Sequence, residues 1–192
     1  MTKARTLADF NASGVLTSTS TLNPALLDDT GTIPSALLAG VGGDNTPSFG
    51  ATASSTQSIS QGSFEKVVLN TENWDTAAAF DSSSTYRFTV PSGEGGEYVF
   101  NYGAYLVSMT TNGYFQLQLY KNGAELRESA QRAYMSSTAT ASMNVVGSIT
   151  TPLSAGDYIE FYVIQGNTDG GGGTRTLSDS NYKPFLTGFK IA

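Results

Sequence analysis

The chain has 192 residues, 39% of them hydrophobic and only 14% charged, against a globular norm of about 25% charged. Its formal net charge is -6 and its 10 Lys and Arg are scattered singly, which excludes the basic surface that phosphate-driven nucleic-acid binding requires. There is no Cys and no His, so disulfide staples, thiol chemistry, Cys/His zinc sites and imidazole catalysis are all excluded.

Residues 1–45 are poor in aromatics and rich in Ser, Thr, Gly and Ala. Two short motifs recur there, NPALL ending in Leu26 and Leu27, and IPSALL ending in Leu37 and Leu38. Proline followed by alanine and paired leucines suits a single helical turn, which cannot persist alone in water. The segment reads as an arm whose four leucines dock on another chain. It carries no apolar h-region of a signal peptide, and no run in the chain reaches the roughly 18 apolar residues of a membrane span.

From residue 46 onward the pattern changes to short strands. FEKVVLN (64–70) and TYRFTV (85–90) come first, the latter stopped by Pro91 and a glycine-rich turn. EYVFNYGAYLVS (97–108) follows, then YFQLQLYKNG (114–123), whose Phe115, Leu117 and Leu119 alternate with Gln116 and Gln118. Asn122-Gly123 is a hairpin signal, with AELRESAQ returning. ASMNVVGSIT (141–150), DYIEFYVIQ (157–165), a loop with four successive glycines and the closing PFLTGFKIA complete the chain. Eight to ten short strands with hairpin turns and no long helix predict an all-β antiparallel sandwich or barrel.

Two strands are apolar on both faces. Tyr98, Phe100, Tyr102, Ala104 and Leu106 share one side of 97–108, and Val99, Tyr105 and Val107 the other. Ile159, Phe161 and Val163 oppose Tyr158, Tyr162 and Ile164. A sheet with one wet face alternates apolar and polar, so the second face needs a cover. Tyr98, Phe100, Tyr102, Tyr105, Tyr158 and Tyr162 are therefore the candidate residues of a contact between subunits, where tyrosine is favoured. One face fills the sandwich and the other seals the contact, and alternation alone does not distinguish them.

The order of motifs resembles the C1q-like domain. FEKVVLN resembles that family's first strand; FDSSSTYRF followed by Gly96, Tyr98, Phe100 and Tyr102 resembles its next block. LYKNG resembles its central hairpin, LSAGDYIEFYV its Leu-x-x-Gly-Asp strand, and LTGFKI its last strand. The resemblance covers residues 46–192 and implies a jelly roll of the C1q/tumour-necrosis-factor type, assembled as a trimer whose axis is lined by aromatic and aliphatic side chains. No collagen-type glycine repeat precedes it; the arm stands in its place. The opening MTKARTLADF and the Ser/Thr-rich run after it resemble the starts of virion proteins of tailed phages. In such proteins a short N-terminal segment anchors a trimeric head to the particle. The implied function is a phage virion component made in the host cytoplasm, a capsid decoration or cement protein held by residues 1–45. A tail or neck fibre contacting host surface glycans, and a cellular lectin or adhesion module, are the alternatives.

Candidate chemistry is sparse. No Gly-x-Ser-x-Gly elbow is present and serine catalysis would lack its histidine. The carboxylates Asp28-Asp29, Glu94 with Glu97, and Asp157 with Glu160 are read as solvated groups rather than a glycosidase pair. The loop QGNTDGGGGTR lacks the Gly-Lys-Ser/Thr ending of a phosphate loop, and reads as a connector whose Asn167, Asp169 and Arg175 are candidate contact residues. Asp169 and Asp179 match no calcium motif. No catalytic residue, cofactor or metal is expected.

Overall fold

The computed structural model describes residues 45–109, 112–136, 141–167, 173–178 and 182–191. The expected arm, with Leu26, Leu27, Leu37 and Leu38, lies outside the described residues, as do Asp28, Asp29, Asp169 and Asp179. Among the described residues there is no helix. Thirteen strands run in the order β1 (Ser48–Thr52), β2 (Gln57–Ile59), β3 (Glu65–Lys66), β4 (Thr71–Asp75), β5 (Phe80–Asp81), β6 (Arg87–Thr89), β7 (Gly96–Met109), β8 (Gly113–Lys121), β9 (Ala124–Met135), β10 (Ala141–Leu153), β11 (Tyr158–Asn167), β12 (Arg175–Leu177) and β13 (Phe185–Lys190).

They form two antiparallel sheets, as the sequence predicts. A 7-stranded sheet is ordered β2-β12-β7-β13-β1-β4, with β10 on the free side of β7. A 6-stranded sheet is ordered β5-β6-β11-β8-β9, with β3 also on β11. Long β7 organises the first sheet: it pairs β10 along most of its length, and β13 and β12 in turn along its other side.

The core lies between the sheets. Phe49 of β1 stacks on Phe80 at 5.0 Å and on Phe88 at 4.7 Å, bridging the layers. Phe115, Leu117 and Leu119 of β8 face Phe100, Tyr102 and Leu106 of β7, all at 0% exposure. Each such burial contributes about 1.5–3 kcal/mol. Glycine makes room where rings lie flat: a Cβ on Gly147 would stand 2.5 Å from the Tyr102 ring, and one on Gly188 2.7 Å from those of Phe100 and Phe49. The β8–β9 hairpin turns at Asn122 and Gly123, whose φ of 54° and 78° are the left-handed pair of a type I′ turn.

Several strands are shorter than their sequence pattern predicts, because side chains capture the backbone. In 64–70 only Glu65–Lys66 joins a ladder. Beyond it Gln57 reaches in, Nε2 donating to the Lys66 carbonyl at 2.8 Å and Oε1 accepting from Val68 N at 2.9 Å. In 85–90 the Asp81 carboxylate holds Thr85 in a turn, accepting from Thr85 N at 2.9 Å and Thr85 Oγ1 at 2.7 Å. The Ser84, Thr85 and Ser83 donors hold the Asp81 carboxyl well below the usual carboxylate range. The connector reading of the glycine-rich loop misses β12, which starts at Arg175 opposite Ile59.

Candidate functional site

The two faces of β7 differ in burial. Tyr98, Phe100 and Tyr102 point into the sandwich at 0% exposure. Tyr102 donates its hydroxyl hydrogen to the Ser129 carbonyl, and Tyr98 to the Glu94 carbonyl at 2.6 Å. Burial, with the Glu94 charge adding at Tyr98, pushes both phenols up to about 12. These three rings are consumed within the protomer, which corrects the expectation that they line a subunit contact. An alternating strand can offer only one of its faces to a neighbour.

The other face of β7 carries Val99, Asn101, Gly103, Tyr105 and Val107 outward. Register sets their neighbours: Gly103 lies between Val146 of β10 and Phe185 of β13, and Asn101 between Ser148 and Thr187. On the far side Gly50 lies beside Trp74 of β4. Side chains lie low over the glycines, so a Cβ on Gly103 would meet the Phe185 ring at 2.5 Å and one on Gly50 the Trp74 ring at 2.3 Å. Tyr105 packs against Tyr182 with centroids 4.8 Å apart. The centre of this face holds no Asp, Glu, Lys or Arg. Val146 is 60% exposed and Trp74 47%. The result is a charge-free central patch with several apolar side chains in water, the composition of an interface core rather than of a free surface.

Tyr158 and Tyr162 lie on the outward face of the 6-stranded sheet, and that face is built differently. The Arg87 guanidinium covers the Tyr158 ring at 4.2 Å. Lys66 Nζ sits 2.5 Å from Glu160 Oε1 and over the Tyr162 ring at 5.8 Å. Tyr162 packs on Tyr120 at 4.1 Å. Burial pushes both of these phenols up, with the nearby Glu125 and Glu160 charges adding at Tyr120 and Tyr162 respectively. Gln116 and Gln118 lie on the face opposite Phe115, Leu117 and Leu119, as the alternation predicts, and are only 6% and 2% exposed, bonded to each other and to Arg132 and the Leu126 carbonyl.

Of the candidate carboxylates outside the arm, Asp157, Glu160 and Glu94 are engaged in structure. Asp157 Oδ2 is 3.0 Å from Lys121 Nζ and accepts from Ser154 N, while Oδ1 accepts from Asn122 Nδ2. The Asn122, Ser154 and Lys121 donors bring its pKa down to about 2. Glu94 pairs with Lys190 at 3.2 Å. Among the described residues no group of three or more Asp and Glu could hold a metal ion. Of the expected contact loop, Asn167 ends β11 and Arg175 opens β12. Sequence reasoning missed Trp74, Val146 and Phe185; the signal was the apolar second face of 97–107, extended to its neighbours in register.

No protein-family model matches the chain, and no curated protein matches it. Solved structures do. The globular domain of zebrafish complement 1qA protein is 18% identical, covering 77% of this chain and 98% of that one, with a TM-score of 0.50. Murine APRIL is 14% identical, covering 75% and 98%, with a TM-score of 0.51. The vertex protein P5 of phage PRD1 is 20% identical, covering 78% and 100%, with a TM-score of 0.51. At these identities the likeness is one of fold, a jelly roll of the C1q/TNF-like type.

Proposed function

We propose that this chain is a non-enzymatic structural protein of a phage virion, a homotrimeric jelly-roll knob attached to the particle through residues 1–45. The single observation that carries the trimer is the uncharged outward face of the 7-stranded sheet, centred on Val99, Gly103, Tyr105, Val146 and Phe185. Three copies meeting on that face would bury Trp74 and Val146, which one copy leaves in water. The likeness to a phage vertex protein supports a place on a particle. It agrees with the resemblance of the first residues to virion proteins. A capsid decoration or cement role is the favoured placement, with the knob held by residues 1–45.

The test is the mass of the full chain by size-exclusion chromatography with light scattering. A trimer is expected, three times the chain mass; a stable monomer overturns the interface reading. Deleting residues 1–45 is expected to leave a folded trimer that no longer joins its particle, and normal incorporation of the shortened chain would overturn the anchoring role. A second reading, a tail or neck knob contacting host glycans, is favoured by the aromatic and polar outward face of the 6-stranded sheet.

A further inference from the structure

One corner of the 6-stranded sheet is organised around a single cation. Arg132 of β9 is exposed, yet its guanidinium is fixed on three sides. It lies 4.6 Å from the Tyr114 ring and 5.8 Å from the Tyr134 ring. Its Nε donates to Gln116 Oε1 at 2.6 Å and one terminal nitrogen donates to the Tyr134 hydroxyl at 3.1 Å. Behind it runs a one-way chain of amides: Gln116 Nε2 donates to Gln118 Oε1 at 2.7 Å, and Gln118 Nε2 to the Leu126 carbonyl at 3.2 Å. A backbone carbonyl can only accept, so each amide has one orientation, and the chain ends with an oxygen aimed at Arg132. Both glutamines are nearly buried, at 6% and 2%. The guanidinium has five N–H donors, and the contacts above use two of them. Arg132 makes no ion pair among the described residues.

A braced arginine without a carboxylate partner, between two tyrosines, presents a fork for an anion that is planar and bidentate. Tyr134, at 70% exposure, adds an open ring face. Beside it is a hollow of ≈ 240 Å³ lined, among the described residues, by Asn112, Gly113, Tyr134, Met135 and Ser136. That is below the roughly 300–1,000 Å³ of pockets that enclose drug-sized ligands, and suits one ring. The chain's net charge of -6 disfavours a polyanion, so a ligand with one carboxylate fits best. The geometry points to a saccharide-binding subsite here, specific for a terminal sugar bearing a carboxylate. The carboxylate takes the Arg132 fork and the sugar ring packs on Tyr134. Gln116 is a positioning residue. The site is independent of the trimer reading, because it uses the opposite sheet.

The test titrates the full chain with 3′-sialyllactose, a glucuronic-acid disaccharide and lactose, by calorimetry and saturation-transfer NMR. Expected is binding of at least one acidic sugar, with lactose weaker by about tenfold or more, the size of a charge-assisted hydrogen bond. Which acidic sugar binds names the source of the carboxylate. Arg132→Gln and Tyr134→Ala should each weaken binding about tenfold, and Gln116→Leu should weaken it with the arginine charge retained. Arg127→Gln, a matched loss on the same strand at an arginine 3.9 Å from Glu125, should change it less than about twofold. Absence of binding by both acidic sugars at millimolar concentration, equal binding of lactose, or an unaffected Arg132→Gln variant overturns the proposal.

Discussion

The outward faces of the two sheets look alike in the sequence and differ in the structure. Both belong to strands that carry apolar residues on the side away from the core. On the 6-stranded sheet three tyrosines have charged neighbours in place: Arg87 on Tyr158, Lys66 and Glu160 around Tyr162, and Arg132 on Tyr114. Those rings are covered by charged side chains whose heads stay solvated, while Tyr134 keeps an open ring face at the corner. On the 7-stranded sheet the neighbours of Val99, Gly103 and Tyr105 are Thr150, Phe189, Val146, Phe185 and Asn144, with no charge to cover them. An apolar second face is thus not one signal but two, separated by what register places next to each ring.

The edges repeat the contrast. Strand β9, bordering the 6-stranded sheet, carries Glu125, Arg127, Glu128 and Arg132, charges of the kind that keep an edge from pairing with another chain. Strand β10, bordering the other sheet over 13 residues, carries no charged residue at all. An uncharged edge beside an uncharged face is the pattern of a surface that another copy covers.

The largest expected effect breaks this contrast directly. Val146→Glu, on the uncharged face, would bring three carboxylates close to the proposed three-fold contact, where like charges cost several kcal/mol, and light scattering should return a monomer. Tyr134→Glu on the other face, at a position of similar exposure, should leave the mass unchanged. A trimer that survives the first change, or is lost in the second, reverses the assignment of faces.

Next in size is the layer beneath the uncharged face. Gly147→Val drives a branched side chain into the Tyr102 ring and should cost about 1–3 kcal/mol in chemical denaturation. A pH effect accompanies that ring. Tyr98 and Tyr102 are held at about 12 in the folded chain, against 10.0 for a free phenol. Above pH 10 the unfolded chain sheds protons that the folded chain keeps, so stability is lost as pH rises from 10 toward 12. Tyr102→Phe should flatten that loss, while costing about 0.5–1.5 kcal/mol at neutral pH through the hydrogen bond to Ser129.

The smallest effects belong to the 6-stranded sheet and the hairpin end. Arg127→Gln should cost at most about 0.5 kcal/mol in denaturant melts, because its pair with Glu125 is open to water. Asp157 has its pKa lowered from 3.8 to about 2, so its contribution is present above pH 3.8 and lost as pH falls through 2. Asp157→Asn should remove that part of the acid slope, and an unchanged acid transition would show that the Asn122–Ser154 clasp does not contribute.

Much of the fold was legible because local rules determine it. The alternation of Phe115, Leu117 and Leu119, the Asn122-Gly123 turn and the apolar side of 98–106 each need only a pleat or a positive φ. The strands that failed were those where a side chain from outside the strand took over the backbone, as Gln57 does at Lys66 and Val68 and Asp81 does at Thr85. β4 was missed because its Trp74 sits among polar residues in TENWD. Its apolar partner is Gly50 on the next strand, which no window of sequence contains.

The sequence by itself determined that the chain is all-β and antiparallel without histidine or thiol chemistry, and that two strands carry an apolar face to spare. Periodicity and composition are local properties, and those conclusions depend on nothing else. Only the tertiary structure decided which face of β7 fills the core, that Gln116 and Gln118 are buried in a bonded chain, and that Tyr114, Arg132 and Tyr134 meet at one corner. Those outcomes depend on which strands become neighbours and in what register, and register is set by the packing of the whole sandwich.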